Sequence, residues 1–161
     1  MQKLSLLFTK DGLQYQLLKN KSVTEEHSFF ADENSSPDFV AETLKNILET
    51  KNYSQISVIS ALNHFTLMPE GFAEHTVGYD LIALNAPVLP EEEELMLSVN
   101  KKFGVQFYYT FPKSLYNLIK SRKEAASFNF SGEKLLNSIQ VRNQKEIHII
   151  LYHYEGEFVA L

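Results

Sequence analysis

The side chains most able to do chemistry in this sequence are scattered histidines and carboxylates. His64 and His75, with Glu70 and Glu74 between them, supply the nitrogen and oxygen donors that zinc accepts. Their spacing fits no established ligand motif, and Pro69 and Gly71 work against a rigid helical display, so surface or turn roles are expected. His148 and His153 stand an odd number of positions apart and point to opposite faces of a regular strand, so they cannot share a ligand. Glu91 to Glu94 form an acidic cluster. Directly after Pro90 and ahead of Leu95, Met96, Val99 and Phe103, it reads as the first turn of a helix, closed by Lys101, Lys102 and Gly104. Lys113, Lys120, Arg122 and Lys123, with Lys101 and Lys102, interleave with Tyr108, Tyr109, Phe111 and Tyr116, as nucleic-acid surfaces do. The same aromatics fit core faces, and lysines at a helix C-terminus answer its dipole, so a solvated helix face is the expectation. No Gly-x-Ser-x-Gly elbow marks a nucleophile. Neither a catalytic set nor a metal-ligand set is expected.

Composition narrows the classes further. The chain has 161 residues, 44% of them hydrophobic and 12% aromatic, enough to bury a core, and 22% charged, too few for a disordered polyelectrolyte. It has no cysteine, so thiolate chemistry, disulfides and cysteine-based zinc sites are excluded. The net charge of −5 speaks against general binding to nucleic acid or anionic membranes. The opening apolar run, Leu4 to Phe8, is too short for a signal peptide, and no stretch nears the roughly 20 apolar residues of a membrane span. The cytoplasm is the expected compartment.

The elements that would position these residues follow from periodicity. Leu4 to Phe8 reads as a strand, Lys10-Asp11-Gly12 as a hairpin turn, and Leu13, Tyr15 and Leu17 alternate with glutamines as a half-buried strand does. Asn20-Lys21-Ser22 supplies a second turn, and Val23 to Phe30 a third strand. Ser36-Pro37-Asp38 opens a helix whose apolar face is Phe39, Val40, Leu44, Ile47 and Leu48. Gln55 to Leu62 is a buried strand, expected parallel to an earlier one. Beyond it the pattern predicts a short strand over Phe65 to Pro69, a short helix from Pro69 to Phe72 and a loop from Tyr79 to Pro90. A strand over Val105 to Phe111 follows, then a helix starting at Pro112 with Leu115, Tyr116, Leu118 and Ile119 inward. Ser131 is expected to cap a helix carrying Leu135, Leu136 and Ile139. Ile147 to Tyr154 and Phe158 to Leu161 read as strands around Glu155-Gly156. The last of these needs a neighbour: an earlier strand, residues missing from a shortened chain, or a second copy in a homodimer.

Leu6 to Tyr15 and Ile150 to Val159 echo each other as strand, acid-glycine turn and strand, which suggests one βββαβ unit started twice. A repeated meander, helix and strand is the layout of the actin-like ATPase fold, a doubled ribonuclease H-like unit. On Phe65-Thr66-Leu67-Met68-Pro69-Glu70-Gly71-Phe72, then Tyr79 to Asn85, then Val105 to Leu115, the chain resembles a bacterial family of that fold, domain of unknown function family 3822. The resemblance implies an α+β chain with a complete first lobe, residues 1–90, and a partial second lobe, residues 91–161. It brings no catalytic residues.

The chemistry of that fold is then testable on the residues. A ribonuclease H-type nuclease needs carboxylates on central strands to hold two metals, and Leu4 to Phe8 and Ile56 to Leu62 carry none. An actin-like ATPase cradles phosphates on glycine-rich hairpins. The candidates here are Lys10, Asp11 and Gly12 in the first hairpin and Gly156 in the second. The first has one glycine and no following hydroxyl; in the second, Glu155 and Glu157 would face a polyanion. The expectation is a non-enzymatic interaction or scaffold protein without cofactor, acting through a protein partner or self-association. A divergent binder of ATP and Mg²⁺ is the alternative, and a nucleic-acid module on Lys113 to Lys123 a second one.

Overall fold

The computed structural model of the chain describes residues 2–62, 64–72, 77–139, 147–151 and 156–160. β1 (Lys3–Thr9), β2 (Gly12–Lys19) and β3 (Ser22–Phe30) form the antiparallel meander that the alternation predicts. Thr9 pairs with Gly12, leaving Lys10 and Asp11 as the turn. Asn20 and Lys21 make the second turn at φ 52° and 67°, both positive, as a two-residue hairpin that follows strand twist requires. Gly12 answers to crowding: a Cβ there would lie 2.0 Å from the Phe29 carbonyl oxygen on β3.

α1 (Phe39–Thr50) starts slightly later than the serine signal suggests. The Ser36 hydroxyl accepts the Asp38 N–H at 3.1 Å in the turn ahead, and Asp38 holds the cap position. Leu44, Ile47 and Leu48 are its buried face, as the spacing predicts. β4 (Gln55–Ser60) then runs parallel to β1.

The next stretch corrects three expectations. β5 (Phe65–Pro69) is the short strand predicted, but Pro69 to Phe72 is a turn, with the Phe72 N–H on the Pro69 carbonyl at 3.1 Å. The expected loop from Tyr79 contains a helix, α2 (Gly78–Ala83), anchored by the fully buried Ile82. Gly78 makes that packing possible, since a Cβ there would meet the Leu95 and Tyr108 side chains at 2.8 Å. Glu91 to Glu94 do not begin a helix: Glu93 opens a strand, β6 (Glu93–Asn100), paired with β7 (Val105–Pro112) along its whole length. Leu95, Met96 and Val99 suit a helix face and a strand alike, and the buried partner strand decides between them. Gly104 does take the left-handed conformation expected of it, φ +63°, but in the turn between β6 and β7.

α3 (Lys113–Arg122) follows Pro112 as predicted. β8 (Ser127–Phe130) had no sequence expectation, and α4 (Ser131–Ser138) is capped at Phe130, with Ser131 its first helical residue. β9 (Ile147–Leu151) and β10 (Gly156–Ala160) pair antiparallel. The turn between them, with Glu155, lies outside the described residues, as do Glu74, His75 and His153.

Three sheets result. The largest has the order β3-β2-β1-β4-β8, with β8 parallel to β4. It thus takes its fifth strand from residues 127–130, well beyond position 90. Leu4, Leu6, Phe8, Leu13, Leu17, Ile56 and Val58 on one face meet Leu44, Ile47 and Leu48 of α1 and Leu115 and Ile119 of α3. The second sheet, β5-β7-β6, is inserted between β4 and α3. Phe130 at the end of β8 joins the two, its ring centroid 4.7 Å from Phe65, 5.2 Å from Phe107 and 5.3 Å from Tyr109.

Candidate functional site

β1 and β4 run in the same direction, and both end where the inserted sheet begins. The Ala61 N–H still bonds the Phe8 carbonyl at 2.8 Å, and the Thr110 N–H bonds the His64 carbonyl at 3.0 Å, so the chain passes from one sheet to the other within a few residues. Between them lies a cleft of about 380 Å³ lined by Lys10, Leu62, His64, Glu93, Thr110 and Pro112. The carboxyl ends of parallel strands are where open α/β sheets place their ligands.

Glu93 organises the cleft. Its Oε1 accepts the Thr110 hydroxyl at 2.8 Å and lies 3.0 Å from His64 Nδ1, while its Oε2 accepts the Leu89 N–H at 2.9 Å. Its main-chain carbonyl accepts the Tyr79 hydroxyl at 2.7 Å. Burial works against the charged form of this carboxyl, but the donors from Leu89, Thr110 and His64, with the attraction of His64, outweigh it and hold the pKa below the usual carboxylate range. With Glu93 ionised, Nδ1 of His64 must carry the hydrogen, and Nε2 is the ring atom left for other chemistry. The Tyr79 phenol is pushed up, by burial first and by the nearby Glu94 and Glu93 carboxylates in addition.

The cleft brings together one hairpin candidate, Lys10, and one of the zinc candidates, His64, with two residues that sequence reasoning did not single out. Glu93 was hidden inside an acidic run read as a helix start, and Thr110 inside an apolar strand. Strand register alone could have found them: β7 centres the sheet, so Thr110 stands between His64 ahead of β5 and Glu93 at the start of β6. Glu70 is exposed in its turn, and among the described residues no three His, Asp or Glu side chains converge to hold a metal ion. Three members of the basic concentration are engaged within the chain: Lys113 Nζ donates to the Pro90 carbonyl and Lys120 Nζ to the Glu124 carbonyl, each at 2.7 Å, and Arg122 pairs with Glu49 at 3.1 Å. Tyr108, Tyr109 and Phe111 are buried.

A triphosphate with Mg²⁺ is the ligand that an actin-like fold implies, and the first hairpin fits it poorly. Thr9 and Gly12 pair across a two-residue turn, which leaves no loop of amides to wrap phosphates, and the side on which Gly12 lacks a Cβ is filled by the Phe29 carbonyl. Glu93 adds a fixed negative charge to the cleft. Against this, Asp11 has one buried oxygen, Oδ2, without a hydrogen-bond partner. Gly156 opens β10 opposite Leu151.

The family model described as "Protein of unknown function (DUF3822)" matches residues 1–161. The chain belongs to this family. A crystal structure of a Bacteroides thetaiotaomicron protein with an actin-like ATPase fold and unknown function superposes with a TM-score of 0.78 at 19% identity. The match covers 99% of this chain and 65% of that one, so the chain spans about two thirds of that protein's length. The cytoplasmic domain of EpsL, an inner membrane component of the type II secretion system of Vibrio cholerae, superposes with a TM-score of 0.52 at 10% identity, over 100% of this chain and 71% of that one. No curated protein matches the chain. At these identities the likeness is one of fold: α+β, of the actin-like ATPase and ribonuclease H-like type. No helix among the described residues is long and apolar enough to cross a membrane.

Proposed function

We propose that this member of the family is a non-catalytic protein-interaction or scaffold protein that retains an actin-like fold and acts through its inserted sheet. The distribution of exposed apolar side chains carries the reading. Among the described residues, eight of the nine large apolar side chains left exposed fall between Phe65 and Val99, with Val23 the ninth. Leu84 is 79% exposed and Phe72 67%. Such residues scattered singly are ordinary, but their concentration in one inserted segment supports the reading of a docking surface there. The Glu93 carboxylate and the tight first hairpin support the absence of phosphate chemistry. Self-association through the β9–β10 hairpin would add a second contact, and light scattering that finds a monomer at high concentration removes it. A lobe division later than residue 90 goes with this reading, since β8 belongs to the same sheet as β1.

The test is a thermal-shift comparison of the chain alone, with Mg-ATP and with Mg-ADP. No nucleotide-dependent rise in Tm is expected, and a clear rise overturns the reading. The second reading, a divergent nucleotide-binding protein, is favoured by the unpartnered Asp11 Oδ2. It predicts a rise with Mg-ATP that Asp11→Asn abolishes.

A further inference from the structure

We propose that the outer edge of β3, with the groove between it and α1, binds an extended basic segment of a partner protein by strand addition, at a surface separate from the inserted sheet. β3 is the outermost strand of the five-stranded sheet, and among the described residues no strand pairs with its outer side. The register with β2 shifts only at Leu17 and Leu18, so Glu25 to Phe29 form a regular edge, about 17 Å long at the usual strand rise. Along it the main chain presents a row of donors and acceptors on which another chain can pair.

Alternate residues of an added strand would meet two different surfaces. On the α1 side, Glu25, His27 and Phe29 stand opposite Leu17, Tyr15 and Leu13. A cavity of about 280 Å³ lies between this face and the helix, lined by Tyr15, Phe29, Asn46, Tyr53 and the Glu25–Lys51 pair. Small-molecule pockets run to about 300–1,000 Å³, so this one suits a single bulky apolar side chain better than a whole ligand. Its walls are set in advance: the Tyr53 hydroxyl donates to the Ile47 carbonyl at 2.8 Å, and Lys51 Nζ lies 2.8 Å from Glu25 Oε1. The lysine also offsets the charge of Glu25. On the opposite face, Glu26 is exposed, accepts the Gln16 amide at 3.1 Å and has no cationic partner among the described residues. A lysine or arginine across from Glu26 is favoured there, and a carboxylate is repelled. The same rule disfavours a second copy of this chain, because two β3 strands paired antiparallel about their midpoint set Glu26 against Glu26.

Fluorescence anisotropy of the intact chain with a labelled peptide of alternating lysine and valine, carrying one leucine among the valines, tests this. Saturable binding with a Kd on the order of 100 μM or tighter is expected. Hydrogen exchange should show new protection in β3 and none in the inserted sheet. A peptide of the same composition with its lysines grouped at one end keeps the charge without the alternation and should bind more weakly. Glu26→Lys, at an exposed position, should weaken binding of the alternating peptide about fivefold and should favour its counterpart with glutamate in place of lysine. Equal binding of the two lysine peptides, unchanged affinity in Glu26→Lys, or new protection in the inserted sheet alone would each overturn the proposal. Sedimentation that finds a dimer whose β3 amides are already protected would give this edge to a second copy and overturn it too. Docking on the inserted sheet is read separately, through Leu67→Ser and Leu84→Ser.

Discussion

The two main sheets of this molecule spend their interior differently. In the five-stranded sheet, the face toward α1 and α3 is apolar: Leu4, Leu6, Phe8, Leu13, Leu17, Ile56 and Val58 are all buried there. In the inserted sheet β5-β7-β6 the interior is mixed: Phe107, Tyr108, Tyr109 and Phe111 are buried beside the polar Ser98, Asn100, Gln106 and Thr110, and the Tyr109 phenol is pushed well above its usual range chiefly by burial. On the edge strands, Leu67, Leu97 and Val99 are left exposed. The buried polar groups of this sheet each need a partner and its exposed apolar side chains forgo transfer free energy, so it is arranged less favourably for stability than the first sheet. The difference teaches where the two sheets diverge: the first is packed on one apolar face, and the second borders the cleft and carries the exposed apolar side chains on which the proposed docking surface rests.

The sharpest way to break that division is at its seam. Phe130 is buried and packs its ring on Phe65, Phe107 and Tyr109 of the inserted sheet. Phe130→Ala should cost about 3–5 kcal/mol, read as a lower urea midpoint, and should loosen the inserted sheet before the five-stranded one in hydrogen exchange. Simultaneous loss of protection in both sheets would mean that they form a single cooperative unit.

Gly12→Ala tests the first sheet on its own. The added Cβ would lie 2.0 Å from the Phe29 carbonyl oxygen, so β2 and β3 must separate locally, at about 2–3 kcal/mol. Unchanged stability would show that the hairpin has slack and reopen a phosphate-binding role.

Glu93→Ala strips the Leu89 N–H and the Thr110 hydroxyl of their acceptor and should cost about 1–3 kcal/mol at neutral pH. The pH dependence has a definite sign. Because the folded pKa of Glu93 lies below its ordinary 4.5, its contribution is present above that value and is lost as pH falls through the depressed one. Urea midpoints measured between neutral pH and pH 3 should therefore fall less steeply in Glu93→Ala than in the parent. Parallel curves would mean that the ionised Glu93 carboxylate does not stabilise the fold.

The smallest effect is expected on the exposed surface. Leu67→Ser and Leu84→Ser should change stability by no more than about 0.5 kcal/mol, while a docking surface predicts weakened association. A large stability loss would mean that these side chains are structural.

Much of the five-stranded sheet is legible in the sequence because its signals are local. Alternation in Leu13, Tyr15 and Leu17, the Asn20-Lys21 turn and the spacing of Leu44, Ile47 and Leu48 each state a preference that the fold keeps. The inserted sheet is harder to read. Glu91 to Glu94 carry a helix-start signal that pairing with β7 overrides, and α2 is too short to show a periodicity. β8 has only four residues, Ser127 to Phe130, and its place beside β4 is fixed by partners seventy positions earlier. For the cleft, the sequence identifies Lys10 and His64 as residues of interest but gives no hint that Glu93 and Thr110 join them.

The amino-acid sequence by itself determined the α+β class, the opening meander and the lack of thiol chemistry, since these depend on composition and on neighbours within a turn or two. Only the tertiary structure decided that an acidic run would become a strand and that one of its carboxylates would meet a histidine 29 positions away. Long-range pairing is set by which strands bury each other's surface, and that choice is made among distant segments competing for the same core.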